Sequence, residues 1–187
     1  MIASFLSILH YGVFGFLLSL ILAAAVHKLN APANFQRSLQ SYDFLPSKLA
    51  SSFAKFVPWL EITVIAAAIV CYAMRQIELS FLLLFTLFTA YSAMISTLVF
   101  QKRTLVDCGC SLFDSNVLIA PKTLLMRNIA LIILCCVFYL TTQQTTGSPS
   151  EWLFGLTFSC FLFVIYSSVD LLLENHVLLS KLRLKHD

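Results

Sequence analysis

An all-α bundle of five membrane-crossing helices is the fold class this sequence predicts, and three observations predict it. Apolar residues make up 59% of its 187 positions and charged residues only 11%, whereas soluble domains carry roughly 45–50% and about 25%. Such a chain cannot cover its surface with polar groups and needs lipid as solvent. Five apolar stretches, at about 2–26, 57–74, 79–100, 124–142 and 151–173, match the roughly 20 residues needed to cross a hydrocarbon core about 30 Å thick. Lysine and arginine, finally, segregate. With the amino terminus outside, Lys28, Arg37, Lys48, Lys55, Lys102, Arg103, Lys122, Arg127, Lys181, Arg183 and Lys185 fall on the cytoplasmic side and Arg75 alone falls outside. Cytoplasmic loops retain positive charge, so the prediction is N-out, C-in. One domain, 1–187, is expected.

The first span carries no Lys or Arg before Lys28 and stays apolar through Val26. That run exceeds the 7–15-residue core of a secretory signal, so the segment is expected to be retained. The loop from His27 to Phe56 has helical patterning on both sides of Pro46. Phe35, Leu39 and Tyr42 recur at i, i+4 and i+7, and Leu49, Phe53 and Phe56 repeat that spacing. Two short amphipathic helices lying in the interface fit it; simple tethering of the spans is the alternative. Arg75-Gln76-Ile77-Glu78 reads as a tight hairpin between spans two and three. Ser148-Pro149-Ser150-Glu151 has the form of a capping box with proline at the first helical position, which marks the start of span five. Residues 174–187 are expected to form a basic cytoplasmic tail.

A chain this short leaves no room for a separate catalytic domain. Its net charge of +3, with no basic run interleaved with aromatics, argues against nucleic acid. Chemistry therefore has to come from residues on the bundle and its loops. Asp107-Cys108-Gly109-Cys110 lies on the loop between spans three and four. Thiols at i and i+2 can be bridged only across a tight turn, since disulfides want Cα atoms about 4.4–6.8 Å apart, and Gly109 allows such a turn. The strained ring that results exchanges readily. Lys102, Arg103 and Lys122 would favour the thiolate, and Asp107 would oppose it; in the cytoplasm the pair would rest reduced. Half of a metal site, with His27 as a third ligand, is a second reading, and an inert loop is a third.

Glu61 falls about one turn inside the predicted second span, where an ionisable residue is a functional candidate by default. The structural alternative is that it sits at the positive end of its own helix and pairs with Lys28. Asp170, near the inner end of span five, is a weaker case. Cys71, Cys135 and Cys136 fall in the outer half of their helices and Cys160 in span five; they read either as an outer thiol relay or as small apolar filler.

Val106-Asp107-Cys108-Gly109-Cys110, followed by Leu124-Leu125-Met126-Arg127-Asn128, resembles the methylamine-utilisation MauE family. Lys28-Leu29, Phe35, Tyr42 with Leu45-Pro46, and Pro58-Trp59-Leu60-Glu61 match upstream, so the resemblance covers roughly residues 20 to 135. Where the family often has Arg-Gly before the cysteines, this chain has Gln101-Lys102-Arg103, and Ser111-Leu112-Phe113 follows them. The resemblance implies a DoxX-like protein of the bacterial inner membrane. It would assist processing, transport or maturation of the disulfide-rich small (beta) subunit of methylamine dehydrogenase, beside a periplasmic thioredoxin-like protein. On that view Cys108 and Cys110 are a thiol-disulfide redox pair and Glu61 handles protons. Lys28, Asp107, Gly109, Arg127 and Asn128 support the site, and neither a metal nor another cofactor is expected. The alternatives are a non-catalytic scaffold or transport component, or a quinone-linked oxidoreductase subunit. His27, Lys28, Glu61, Cys108, Cys110, Arg127, Asn128 and Asp170 all map to the inner face, whereas the client lies outside. Either the cysteine loop dips back into the bundle, or electrons enter from a cytoplasmic donor.

Overall fold

In a computed structural model of the chain, residues 2–40, 42, 46–101, 120–141 and 148–183 are described. They form α1 (Ile2–Asn30), α2 (Pro32–Gln40), α3 (Ser47–Ala73), α4 (Ile77–Phe100), α5 (Pro121–Leu140) and α6 (Pro149–Arg183). No strand occurs among the described residues. All except α2 are long and apolar enough to cross a membrane, over Ser4–Asn30, Leu49–Ala73, Ile77–Phe100, Pro121–Leu140 and Ser150–Leu173. The predicted five-span, all-helical class is what these residues build.

The first four spans pack in chain order, and the fifth returns to the first rather than to the fourth. α1 packs against both α6 and α3, α3 against α4, and α4 against α5, so the lateral order is α6–α1–α3–α4–α5. The first and last spans approach closely because small residues meet there. A Cβ added to Gly12 would stand 2.4 Å from Phe158 Cδ1, one on Gly15 2.9 Å from Ser159 Oγ, and one on Gly155 2.4 Å from the Cβ of Tyr11. Lipid tails are as apolar as leucine, so close packing of this kind is a main source of helix association in a bilayer. Leu17, Phe81, Leu84 and Cys135 form the fully buried heart of the bundle.

α2 buries Phe35 and Leu39, and with Tyr42 beyond its end these side chains rest on Ala50, Ala54 and Leu98. The second short helix is corrected. There is no separate helix after Pro46, because α3 runs unbroken from Ser47 through Pro58 to Ala73. Its buried stripe is Ala50, Ala54, Pro58, Glu61, Ile65, Ala68 and Tyr72, while Leu49, Phe53 and Phe56 are exposed. The small residues let α2 dock, and the large apolar ones point away from the bundle. Span five also runs longer than expected, since residues 174–183 continue α6.

The α3–α4 hairpin closes as a Schellman motif. Gln76 N–H donates to the Cys71 carbonyl at 2.9 Å and Arg75 N–H to the Tyr72 carbonyl at 3.1 Å. Arg75 has φ of 60°, at the position where glycine is usual. Left-handed backbone costs an L-residue roughly 1–2 kcal/mol, part of which glycine returns as unfolded-chain entropy. Arg75→Gly is therefore expected to stabilise the protein by about 1 kcal/mol, read as a higher midpoint in detergent unfolding. At the start of α6, Ser148 N–H donates to Glu151 Oε2 at 3.2 Å, which is one arm of the predicted capping box.

Candidate functional site

Ionisable side chains are costly in the apolar core of a bilayer, so within a bundle they turn inward and pair. Lys28, near the end of α1, is 1% exposed, and Glu61 of α3 is equally buried. The Lys28 ammonium donates to Glu61 Oε1 and, at 3.0 Å, to the hydroxyl of Tyr91 on α4. Tyr91 in turn donates to the same Glu61 oxygen. The ammonium also lies 4.8 Å from the Tyr91 ring centroid and 5.3 Å from that of Phe35 on α2. Four helices thus meet at one charge. Glu61 Oε2 is buried and has no hydrogen-bond partner.

The depth of Glu61 is a correction. α3 begins fourteen positions before it, at Ser47, or about 21 Å along the axis. Glu61 is therefore midway along the apolar stretch Leu49–Ala73, well beyond the first turn where a helix dipole acts. The predicted pairing with Lys28 is present, and the helix-end explanation is not.

A second pair stands across the bundle. Arg127 of α5 donates to Asp170 Oδ1 on α6, with its guanidinium 5.4 Å from the Tyr166 ring centroid. Backbone contact between α5 and α6 is sparse, so this pair bridges the seam. Between the two pairs lies a cavity whose walls include Lys28, Glu61, Tyr91, Arg127, Asn128 and Tyr166. Its space for the centres of water-sized molecules is ≈ 60 Å³, enough for about four waters. A six-membered ring needs more; an apolar cavity that takes benzene has about 150 Å³. Two cations and two anions bound or border this space, and Glu61 Oε2 and Asp170 Oδ2 are both without a hydrogen-bond partner.

Lys28, Glu61, Arg127 and Asn128, taken one by one from the sequence, thus line a single cavity, and Asp170 borders it through Arg127. Asp107, Cys108, Gly109 and Cys110 lie outside the described residues. Both ring nitrogens of His27 are buried without a hydrogen-bond partner. Among the described residues no group of three or more His, Cys, Asp or Glu is placed to hold a metal. Cys71, Cys135, Cys136 and Cys160 are all free thiols, and Cys135 packs in the core. Tyr91 and Tyr166 were missed by the sequence reading; a phenol inside an apolar span was their available signal, since a buried tyrosine hydroxyl usually has a partner. His10 was missed too. It lies at the opposite end of the bundle, its Nδ1 3.2 Å from the Leu6 carbonyl and its Nε2 3.2 Å from that of Phe138, and it ties α1 to α5.

A family model described as methylamine utilisation protein MauE matches residues 5–141. A protein of Methylophilus methylotrophus named methylamine utilization protein MauE is 28% identical over 158 residues, covering 84% of this chain and 82% of that protein. No solved structure matches. With a match over most of its length and apolar helices enough to cross a membrane five times, this multi-pass membrane protein belongs to the methylamine utilisation protein MauE family.

Proposed function

We infer that this chain is an accessory protein of amine utilisation in the bacterial inner membrane, and that it supports maturation of an exported amine dehydrogenase small subunit by thiol-disulfide exchange through Cys108 and Cys110. One observation carries the reading. The polar residues that accompany the cysteine motif in the sequence, Lys28, Glu61, Arg127 and Asn128, come from three helices and share one cavity. The cysteine segment joins Phe100 of α4 to Pro121 of α5, six residues before Arg127.

In this reading one thiolate of the pair attacks a disulfide of a thioredoxin-like partner, and the partner's thiolate leaves. The second cysteine then attacks the mixed disulfide, releasing a reduced partner and leaving a Cys108–Cys110 bond. The reverse sequence oxidises the partner, and the two reduction potentials set the direction.

Cys108→Ser and Cys110→Ser are each expected to abolish maturation of the dehydrogenase, with one of them trapping a mixed disulfide on non-reducing gels. Full maturation in the double serine variant would turn the reading into that of a non-catalytic scaffold. The N-out orientation read from charge adds a second check: an impermeant maleimide supplied from outside should leave Cys108 unlabelled.

A further inference from the structure

The cavity between the two ion pairs has more hydrogen-bonding capacity than its own walls satisfy. Glu61 Oε2 is buried without a partner, on a side chain only 1% exposed. An ammonium carries three donors, and Lys28 places two of them, on Glu61 Oε1 and on the Tyr91 hydroxyl. The Asn128 carboxamide, which both donates and accepts, lines the α5 wall of the same space. A buried acceptor left without a donor carries the full cost of its desolvation. These groups call for an occupant that donates to Oε2 and accepts from Lys28 or Asn128.

Charge and size narrow that occupant. Lys28 and Arg127 line the cavity and repel a cation, and Glu61 lines it and repels an anion. An apolar molecule would leave Oε2 stranded. What remains is a neutral species that both donates and accepts. The ≈ 60 Å³ open to the centres of water-sized molecules admits about four waters, at one probe sphere each. An internal water needs a polar site with roughly two to four partners, and Glu61, Lys28 and Asn128 supply them.

We propose that this cavity holds a cluster of about four buried waters, donating to Glu61 Oε2, accepting from Lys28 and bonded to Asn128. The cluster extends the Lys28–Glu61–Tyr91 network across the bundle to α5, where Arg127 and Asn128 stand. It also sets exchangeable protons beside a carboxylate that the helices otherwise seal from solvent.

The test is X-ray radiolytic footprinting of the full-length protein in detergent. A short pulse splits water into hydroxyl radicals, which oxidise side chains beside bound water even where bulk solvent does not reach. Mass spectrometry then locates the products. Phe88 lines the cavity, whereas Phe14 is stacked on Tyr72 in the close-packed core, and both are 6% exposed. Phe88 is expected to be oxidised several-fold faster than Phe14. Ala24→Leu fills the cavity from α1 and should bring the two rates together; Ala24→Val is the milder filling should leucine disturb the fold. Asn128→Leu, which keeps the volume and removes the amide, should slow Phe88 as well. Equal rates in the unaltered protein, an undiminished Phe88 rate in the folded variants, or a neutral small molecule released on denaturation in place of water would each overturn the proposal. None of these readouts involves Cys108 or Cys110, so their outcome is independent of the thiol reading.

Discussion

Lys28→Met is expected to destabilise the bundle by about 3–5 kcal/mol, because it leaves Glu61 charged and buried without its cation. The magnitude follows from where the pair sits. Both side chains are 1% exposed, and four helices converge on the ammonium, so no other cation can take its place beside Glu61. Glu61→Leu alone should cost a similar amount by stranding Lys28. The double variant Lys28→Met/Glu61→Leu is expected to recover most of the loss, since a well-packed apolar pair of similar volume is often no less stable than a buried ion pair. Reversible unfolding in mixed micelles measures all three. Maturation of the dehydrogenase in the double variant then separates the roles. Restored stability with lost function assigns the pair to chemistry, whereas restoration of both makes it a structural clasp.

Gly155→Val is expected to separate α1 from α6 and to be the most damaging small substitution on the apolar side of the bundle. A Cβ at this position falls 2.4 Å from that of Tyr11 and 3.2 Å from the Gly12 backbone nitrogen. The backbone itself is in the way, so no rotamer change relieves the clash. Overpacking usually costs about 1–3 kcal/mol, and a clash against backbone belongs at or above the upper end. Gly155→Ala should show the larger part of the effect, because its methyl already occupies the forbidden place. Leu156→Val, on the exposed neighbouring position, serves as the control and should change the midpoint little. Equal behaviour of Gly155→Ala and the control would remove the small-residue account of this interface.

The two substitutions show how differently the parts of this protein could be read. Glu61 stood out as an ionisable residue in an apolar run, and Lys28 stood out as its opposite charge. Their pairing follows from the cost of leaving either alone in lipid. The depth of Glu61 was misjudged because the second span was read as starting at about 57, whereas α3 starts at Ser47 and carries Pro58 inside it. Leu49, Phe53 and Phe56 were read as the apolar face of a separate helix lying in the interface, whereas they are exposed on the continuous α3. Large apolar side chains face lipid at no cost, and small ones such as Ala50 and Ala54 admit a neighbouring helix. Gly155 and Ser159 carried the same signal, four residues apart on α6, and it went unread.

The number of spans and the helical class were determined by the sequence alone, because crossing a bilayer imposes a length and an apolarity that can be counted along one dimension. The inventory of charged residues was likewise plain, since each is conspicuous against lipid-soluble neighbours. Apart from Lys28 and Glu61, which the sequence already offered as a pair, which of them meet was decided only by tertiary structure. Lys28, Glu61 and Tyr91 lie 33 and 30 residues apart, and Arg127 and Asp170 lie 43 apart. They come together through the order α6–α1–α3–α4–α5, which apolar patterning cannot specify. Lipid is as good a solvent for a leucine as another helix is, so helix order rests on close fit between small residues and on the pairing of buried charges.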